Sequence, residues 1–205
     1  MEFETLPTVS GEPCQGPLLF KPMVFTDERG FFFESWNQTR FQAALMDSGL
    51  CSVDAKAVCF VQDNHSASRR GVLRGLHYQM PSHPQGKLVR CTSGAIFDVA
   101  VDLRRHSSTY GSWVAAELSS ENHLQLWVPE GFAHGFLSLT NHVEVLYKAS
   151  GFWNRDSERS LLWNDPTLSI EWPLLRACVD HPMLAGKDSE APHLEQLELA
   201  DEVFA

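Results

Sequence analysis

The sequence predicts a mainly β fold, a sandwich or barrel of short strands, with one helix near the N-terminus and a small helical segment near the C-terminus. Three observations carry that expectation. Between residues 58 and 150, apolar runs are separated by turn signals that recur about every 8–12 residues, the spacing of an all-β sandwich or barrel. The segment AIFDVAVDLR, residues 95–104, alternates apolar and polar side chains at the period of a pleated strand. It sets Asp98 and Asp102 on the face opposite the β-branched residues. Convincing helical periodicity is confined to the stretch just after residue 37.

The elements follow in order. Residues 1–17 hold Pro and Gly breakers in quick succession and are expected to form a loose arm. Residues 18–25 and 30–35 read as strands around the turn Thr26-Asp27-Glu28-Arg29-Gly30. A helix spans 37–46, with Asn37 able to cap it, Phe41, Ala44 and Leu45 on one face, and Gly49 able to end it. Strands are then expected at 58–63, 71–79, 87–93, 95–103, 111–118, 125–128, 135–139 and 143–149. Residues 158–173 read as a looser strand and loop region, and a short helical tail follows Pro182. No internal repeat and no long linker divides the chain, so residues 1–205 are expected to form a single domain.

Composition narrows the function. A formal net charge of −10 disfavours nonspecific nucleic-acid binding, because a phosphate lattice would repel such a surface. The charge is uneven: Asp188, Glu190, Glu195, Glu198, Asp201 and Glu202 make the C-terminal tail acidic, whereas residues 69–90 are basic. A local cationic patch on an acidic protein suits a small anionic ligand. Five cysteines (Cys14, Cys51, Cys59, Cys91 and Cys178) without C-x-x-C spacing suggest free thiols in a reducing cytoplasm. Residues 1–12 are acidic where a secretory signal would be positive, and no apolar run approaches the ~20 residues of a membrane span. A cytoplasmic protein with no membrane partner is expected.

The chemistry concentrates in QDNHSASRRGVLRGLHYQMPSHPQGK, residues 62–87. Arg74 stands three residues before His77 and Lys87 ten residues after it. A core strand would leave these polar groups without partners. A pocket for an anionic ligand with a proton-transfer residue at its centre would use them all. The nine histidines invite a metal reading, since a double-stranded β-helix of the cupin type normally binds metal through H-x-H and a later G-x-x-H. Here Tyr78 and Gln79 follow His77, and His83 lies in a Pro-flanked loop. Only His134, in EGFAHGF, matches the third ligand, so a metal is not expected while the cupin architecture is. A histidine, a lysine and a tyrosine, His77, Lys87 and Tyr147, on strands of one small barrel form a set able to move a proton beside a carbonyl.

The words DERGFFFESW, QDNHS, GVLRGLHYQ, QGKLVRCTSGAIFDVAVDLR, LWVPEGFAHGF, VEVLYK, WNDPTLSIEWP and GKDSEAP run in order from Thr26 to Pro192. With them the chain resembles the dTDP-4-dehydrorhamnose 3,5-epimerases, the nucleotide-sugar epimerases of the cupin (jelly-roll) fold. The resemblance implies conversion of dTDP-4-dehydro-6-deoxy-D-glucose to dTDP-4-dehydro-L-rhamnose, with neither metal nor redox cofactor. Carried over by motif, His77 would be the general base, Asp188 its partner, Lys87 the group facing the C4 oxygen and Tyr147 the acid. Arg29, Phe32 and Glu34 would meet the nucleotide, supplied by a neighbouring subunit. Gln62, Asn64 and Arg74 would hold pyrophosphate and sugar, and His134 and Glu158 would complete the pocket. Asp98 would hold His134 or serve a wider network. A homodimer with exchanged N-terminal strands is implied. One position departs from the family pattern: Trp153 stands where a second tyrosine is common. It can still stack on a base, as Phe32 could on thymine, but lacks the phenol, and this keeps a mono-epimerase acting at C3 or C5 alone as the alternative. A non-catalytic sugar-nucleotide binder would be expected to lack one of His77, Tyr147, Lys87 or Asp188, and all four are present.

Overall fold

Alternating burial along the strands produces two antiparallel sheets packed face to face. The structure is a computed structural model and describes residues 2–49 and 55–205. In chain order the elements are β1 (Glu2–Pro7), β2 (Pro13–Lys21), β3 (Phe25–Asp27), β4 (Gly30–Phe32), α1 (Gln38–Ser48), β5 (Gln62–Ser68), β6 (Leu73–Gln79) and β7 (Lys87–Ser93). There follow β8 (Ala95–Asp102), β9 (Trp113–Ser119), β10 (Gln125–Val128), β11 (Phe132–Ser138), β12 (Val143–Ala149), β13 (Glu158–Ser160), α2 (Gly186–Ser189) and α3 (Leu194–Leu199). One sheet has six strands in the order β1-β2-β10-β7-β12-β5, the other five in the order β13-β6-β11-β8-β9. β3 and β4 make a separate exposed hairpin. Among the described residues no hydrogen-bonded ladder joins the two large sheets, so the expected barrel is an open jelly roll, a sandwich closed by side-chain packing.

Three apolar clusters fill the layers. Between the sheets lie Val89, Cys91, Ile96, Ala100, Val114, Leu126, Val143 and Val145. Outside the six-stranded sheet, α1 lays Phe41, Ala44 and Leu45 on Phe20, Leu88 and Trp127. Asn37 caps that helix by accepting from Arg40 N, and Gly49 closes it in the left-handed conformation, as the sequence implies. Outside the five-stranded sheet, Leu161, Leu168, Ile170, Trp172, Leu194 and Leu197 from the C-terminal third cover Leu76, Tyr78, Val99 and Val101. β8 therefore has apolar neighbours on both faces, and Asp98 and Asp102 are fully buried.

Residues 1–17 do not form a loose arm where they are described. Glu2–Pro7 pairs with Pro13–Lys21 from Glu2 opposite Lys21 to Pro7 opposite Pro13. Of the breakers, Gly11 sits in the hairpin turn, flanked by Pro7 and Pro13, while Gly16 and Pro17 lie within β2. Gly11 N donates to Thr8 O at 2.9 Å and Thr8 N to Glu12 O at 2.7 Å. The strand expected at 58–63 instead spans Gln62–Ser68. Val58 and Phe60 pack beneath α1, and the true strand is polar because its inner face borders a cavity. Cys14, Cys59, Cys91 and Cys178 are free thiols, and Cys51 lies outside the described residues.

Candidate active site

Arg74 and His77 lie three residues apart on β6, a spacing that regular pleating sends to opposite faces. A β-bulge brings them to one side. His134 pairs with His77 but Phe136 pairs with Arg74, so a two-residue interval on β11 spans three residues on β6. Gly75 occupies the bulge at φ +125°, where a Cβ would lie 2.5 Å from Gly135 Cα. Both residues thus line a cavity of about 550 Å³ between the sheets.

Asp188 reaches this wall from α2. The C-terminal segment is tied to the start of β6 through Met183 N to Gly71 O at 2.8 Å and Leu73 N to Met183 O at 3.0 Å. Lys187 Nζ also bonds Glu158 Oε1 at 3.0 Å. Asp188 is 2% exposed, with Oδ1 2.6 Å from His77 Nε2 and Oδ2 accepting from Gly75 N at 3.4 Å. A carboxylate only accepts, so His77 Nε2 carries its hydrogen and the free lone pair sits on Nδ1. Burial lowers the His77 pKa below the ordinary histidine range, against the pull of Asp188. The imidazole is neutral and able to take a proton at neutral pH.

His134 stands beside His77 in register, and its Nε2 meets Asp98 Oδ1 at 2.6 Å. Lys87 and Tyr147 come from the opposite sheet, with Tyr147 paired to Val89 and Ala149 to Lys87. Lys87 Nζ crosses the interior to donate to His77 O at 3.2 Å. Burial pushes its ammonium pKa down to about 8, opposed by Asp98 and Glu158. Burial raises the Tyr147 phenol, opposed by Arg74, which keeps it protonated. Burial alone would raise Glu158, but the Lys187 ion pair overrides it and the carboxyl is held low.

The structure therefore brings Arg74, His77, Lys87, His134, Tyr147, Trp153, Glu158 and Asp188 to one cavity. Trp153 is 54% exposed, and its backbone N donates to Gln62 Oε1 at 3.0 Å. Gln62 Nε2 in turn donates to Asn64 Oδ1 at 3.0 Å; both residues lie on β5 outside the lining of this cavity, and Asn64 lines a separate pocket that also reaches Tyr147. Arg29, Phe32 and Glu34 stand apart. Arg29 pairs with Asp27 in the exposed hairpin, Phe32 is 73% exposed, and Glu34 pairs with Arg40 at 3.2 Å. Ser66, Lys187 and Met183 also line the cavity and were missed from the sequence. For Ser66 the available signal was its in-phase spacing with Gln62 and Asn64.

Residues 12–196 match the family model of dTDP-4-dehydrorhamnose 3,5-epimerase. The chain belongs to this family. It is 50% identical over 184 residues to the dTDP-4-dehydrorhamnose 3,5-epimerase of Salmonella typhimurium, covering 90% of this chain and 93% of that one. Identity to the Pseudomonas aeruginosa epimerase is 54% over 173 residues, 84% of this chain and 88% of its relative. Among solved structures, the Legionella pneumophila dTDP-6-deoxy-D-glucose-3,5-epimerase in complex with dTDP-4-keto-L-rhamnose superposes with a TM-score of 0.83 at 39% identity. That match covers 99% of this chain and 98% of the other. The matched residues take in every strand of both sheets except β1, and the C-terminal segment that delivers Asp188.

Proposed function

We propose that the protein epimerises C3 and C5 of dTDP-4-dehydro-6-deoxy-D-glucose to give dTDP-4-dehydro-L-rhamnose. The observation that carries this reading is the placement of His77, held by Asp188 of α2, on one sheet and Tyr147 on the other, across one cavity. Inversion needs removal of a proton from one face of the sugar and its return to the opposite face. The bound ketone acidifies both carbons that flank it. His77 Nδ1 takes the proton, the C–H electron pair forms the enolate, and negative charge gathers on O4. Lys87 faces that oxygen. Tyr147 then protonates the carbon from the other side, leaving imidazolium beside Asp188 and a phenolate that exchange with solvent returns to their starting forms. The same steps at the second carbon complete the reaction. The product named in the Legionella complex has the configuration this sequence of steps would yield.

Arg74 would hold the diphosphate, with Gln62, Asn64, His134 and Glu158 around the sugar and Trp153 stacked on thymine. Arg29, Phe32 and Glu34 would act in the cavity of a second subunit, which suits an exposed hairpin remote from its own cavity. The protein would then work as a cytoplasmic homodimer, each chain a single epimerase domain. No helix among the described residues is long and apolar enough to cross a membrane.

Proton NMR of the 4-keto sugar nucleotide with the protein in heavy water tests the reading. Loss of both the H3 and H5 signals is expected. Loss of one alone would make the protein a mono-epimerase and point to Trp153, and retention of both would remove the proposal. A second measurement concerns Lys87, which is charged below its pKa of about 8 and neutral above it. kcat/KM should therefore decline as pH rises past about 8, and Lys87→Met should remove that alkaline limb along with most of the activity. A wild-type profile that stays flat to pH 10 would show that the ammonium charge is not used.

A further inference from the structure

Among the described residues, five buried side-chain polar atoms have no hydrogen-bond partner: Asn64 Nδ2, Ser66 Oγ, Asp98 Oδ2, Trp127 Nε1 and Ser138 Oγ. Of their residues only Ser66 lines the 550 Å³ cavity. A hydroxyl shielded from water and bonded to nothing costs free energy that a ligand can recover. The surroundings of Ser66 indicate which ligand atom would do so. Ser68, next on the same face of β5, accepts from Arg74 Nε at 3.0 Å, and Arg74 Nη2 donates to Ala67 O at 3.1 Å. These two bonds clamp a guanidinium one step along the strand from the unused hydroxyl. On the adjacent strand Ser66 pairs with Val145, two residues before Tyr147.

We propose that Ser66 is a further substrate-binding residue, donating through Oγ to a phosphoryl oxygen of the nucleoside diphosphate that Arg74 also holds. The inference rests on the proposed function and adds one contact to the same site. A step of χ1 between staggered wells carries the hydroxyl from the wall into the cavity. A neutral donor next to a guanidinium complements an oxygen that carries formal charge and several lone pairs. Since the hydroxyl makes no hydrogen bond within the protein, its removal should leave the fold intact and act on binding alone.

Calorimetric titration with dTDP, paired with steady-state kinetics, tests this. Ser66→Ala should weaken dTDP binding about 10-fold, the loss of one hydrogen bond to a charged group. KM should rise in proportion, with kcat and Tm near the wild-type values. Ser138→Ala, which deletes an equally unpartnered hydroxyl away from the cavity, should leave dTDP affinity unchanged. Unaltered dTDP affinity in folded Ser66→Ala would overturn the assignment. So would a fall in kcat with affinity kept, since the hydroxyl would then serve the sugar. If the alanine variant does not fold, Ser66→Thr and Ser66→Val compare equal shapes with and without the hydroxyl, and equal affinities in that pair would end the proposal. Wild-type protein that binds dTDP but exchanges no sugar proton would remove the epimerase reading and leave Ser66 standing. Wild-type protein that binds no dTDP would remove both.

Discussion

Replacing His77 with alanine is expected to abolish proton exchange at C3 and C5, with turnover reduced about 10²–10⁴-fold or more, while dTDP still binds. The expectation rests on division of labour within the cavity. His77 presents one free lone pair, on Nδ1, because Nε2 is committed to Asp188. No other imidazole on this wall has the same support from α2, since His134 is held by Asp98. Arg74 and Trp153, the groups proposed to hold diphosphate and base, contact neither nitrogen of His77 in the hydrogen-bond network. Affinity and exchange should therefore separate cleanly. Near-normal turnover in His77→Ala would remove the base assignment, and a parallel loss of dTDP binding would recast His77 as a binding residue.

Tyr147→Phe should likewise cost far more in turnover than in affinity, about 10²–10⁴-fold if the phenol is the acid. The change removes one oxygen and keeps the ring that half-fills this side of the cavity. Burial raises the phenol pKa, so the group holds its proton until an enolate develops against it. Single-turnover deuterium incorporation distinguishes the steps. With the acid gone, His77 can still remove a proton, so exchange with retention should outlast inversion. A variant that inverts at the wild-type rate but binds weakly would make Tyr147 a binding residue.

Much of this was legible in the amino-acid sequence, and the failures have physical causes. The helix behind Asn37 and the strands Lys87–Ser93, Gln125–Val128 and Val143–Ala149 were readable because their apolar faces meet the core directly. β5 was displaced because its inner face carries Gln62, Asn64, Ser66 and Ser68 towards or beside a cavity, which erases the apolar half of the alternation. Glu2–Pro7 looked like loose chain because its edge strand mixes Glu2, Glu4 and Thr5 with only two apolar residues, Phe3 and Leu6, and because Pro and Gly breakers are scattered through it, the turn and the partner strand. Asp188 looks by composition like one more charge in an acidic tail, yet it is buried against His77. Only the family resemblance singled it out. No periodicity rule would have placed Arg74 beside His77, because the bulge at Gly75 breaks the alternation on which such rules depend.

His77 and Asp188 are 111 residues apart in sequence, and the carboxylate comes from a late segment of the chain. During synthesis the strands that shape the cavity emerge well before the group that orients its base. A chain ended before Met183 would thus lack both the carboxylate that holds His77 and the stretch of cavity wall made by residues 183–188. On the proposed assignment, catalytic competence would be withheld until translation has passed α2 and its turn has docked on β6. The enzyme's own activity becomes a report on whether the polypeptide was finished and its last layer laid down.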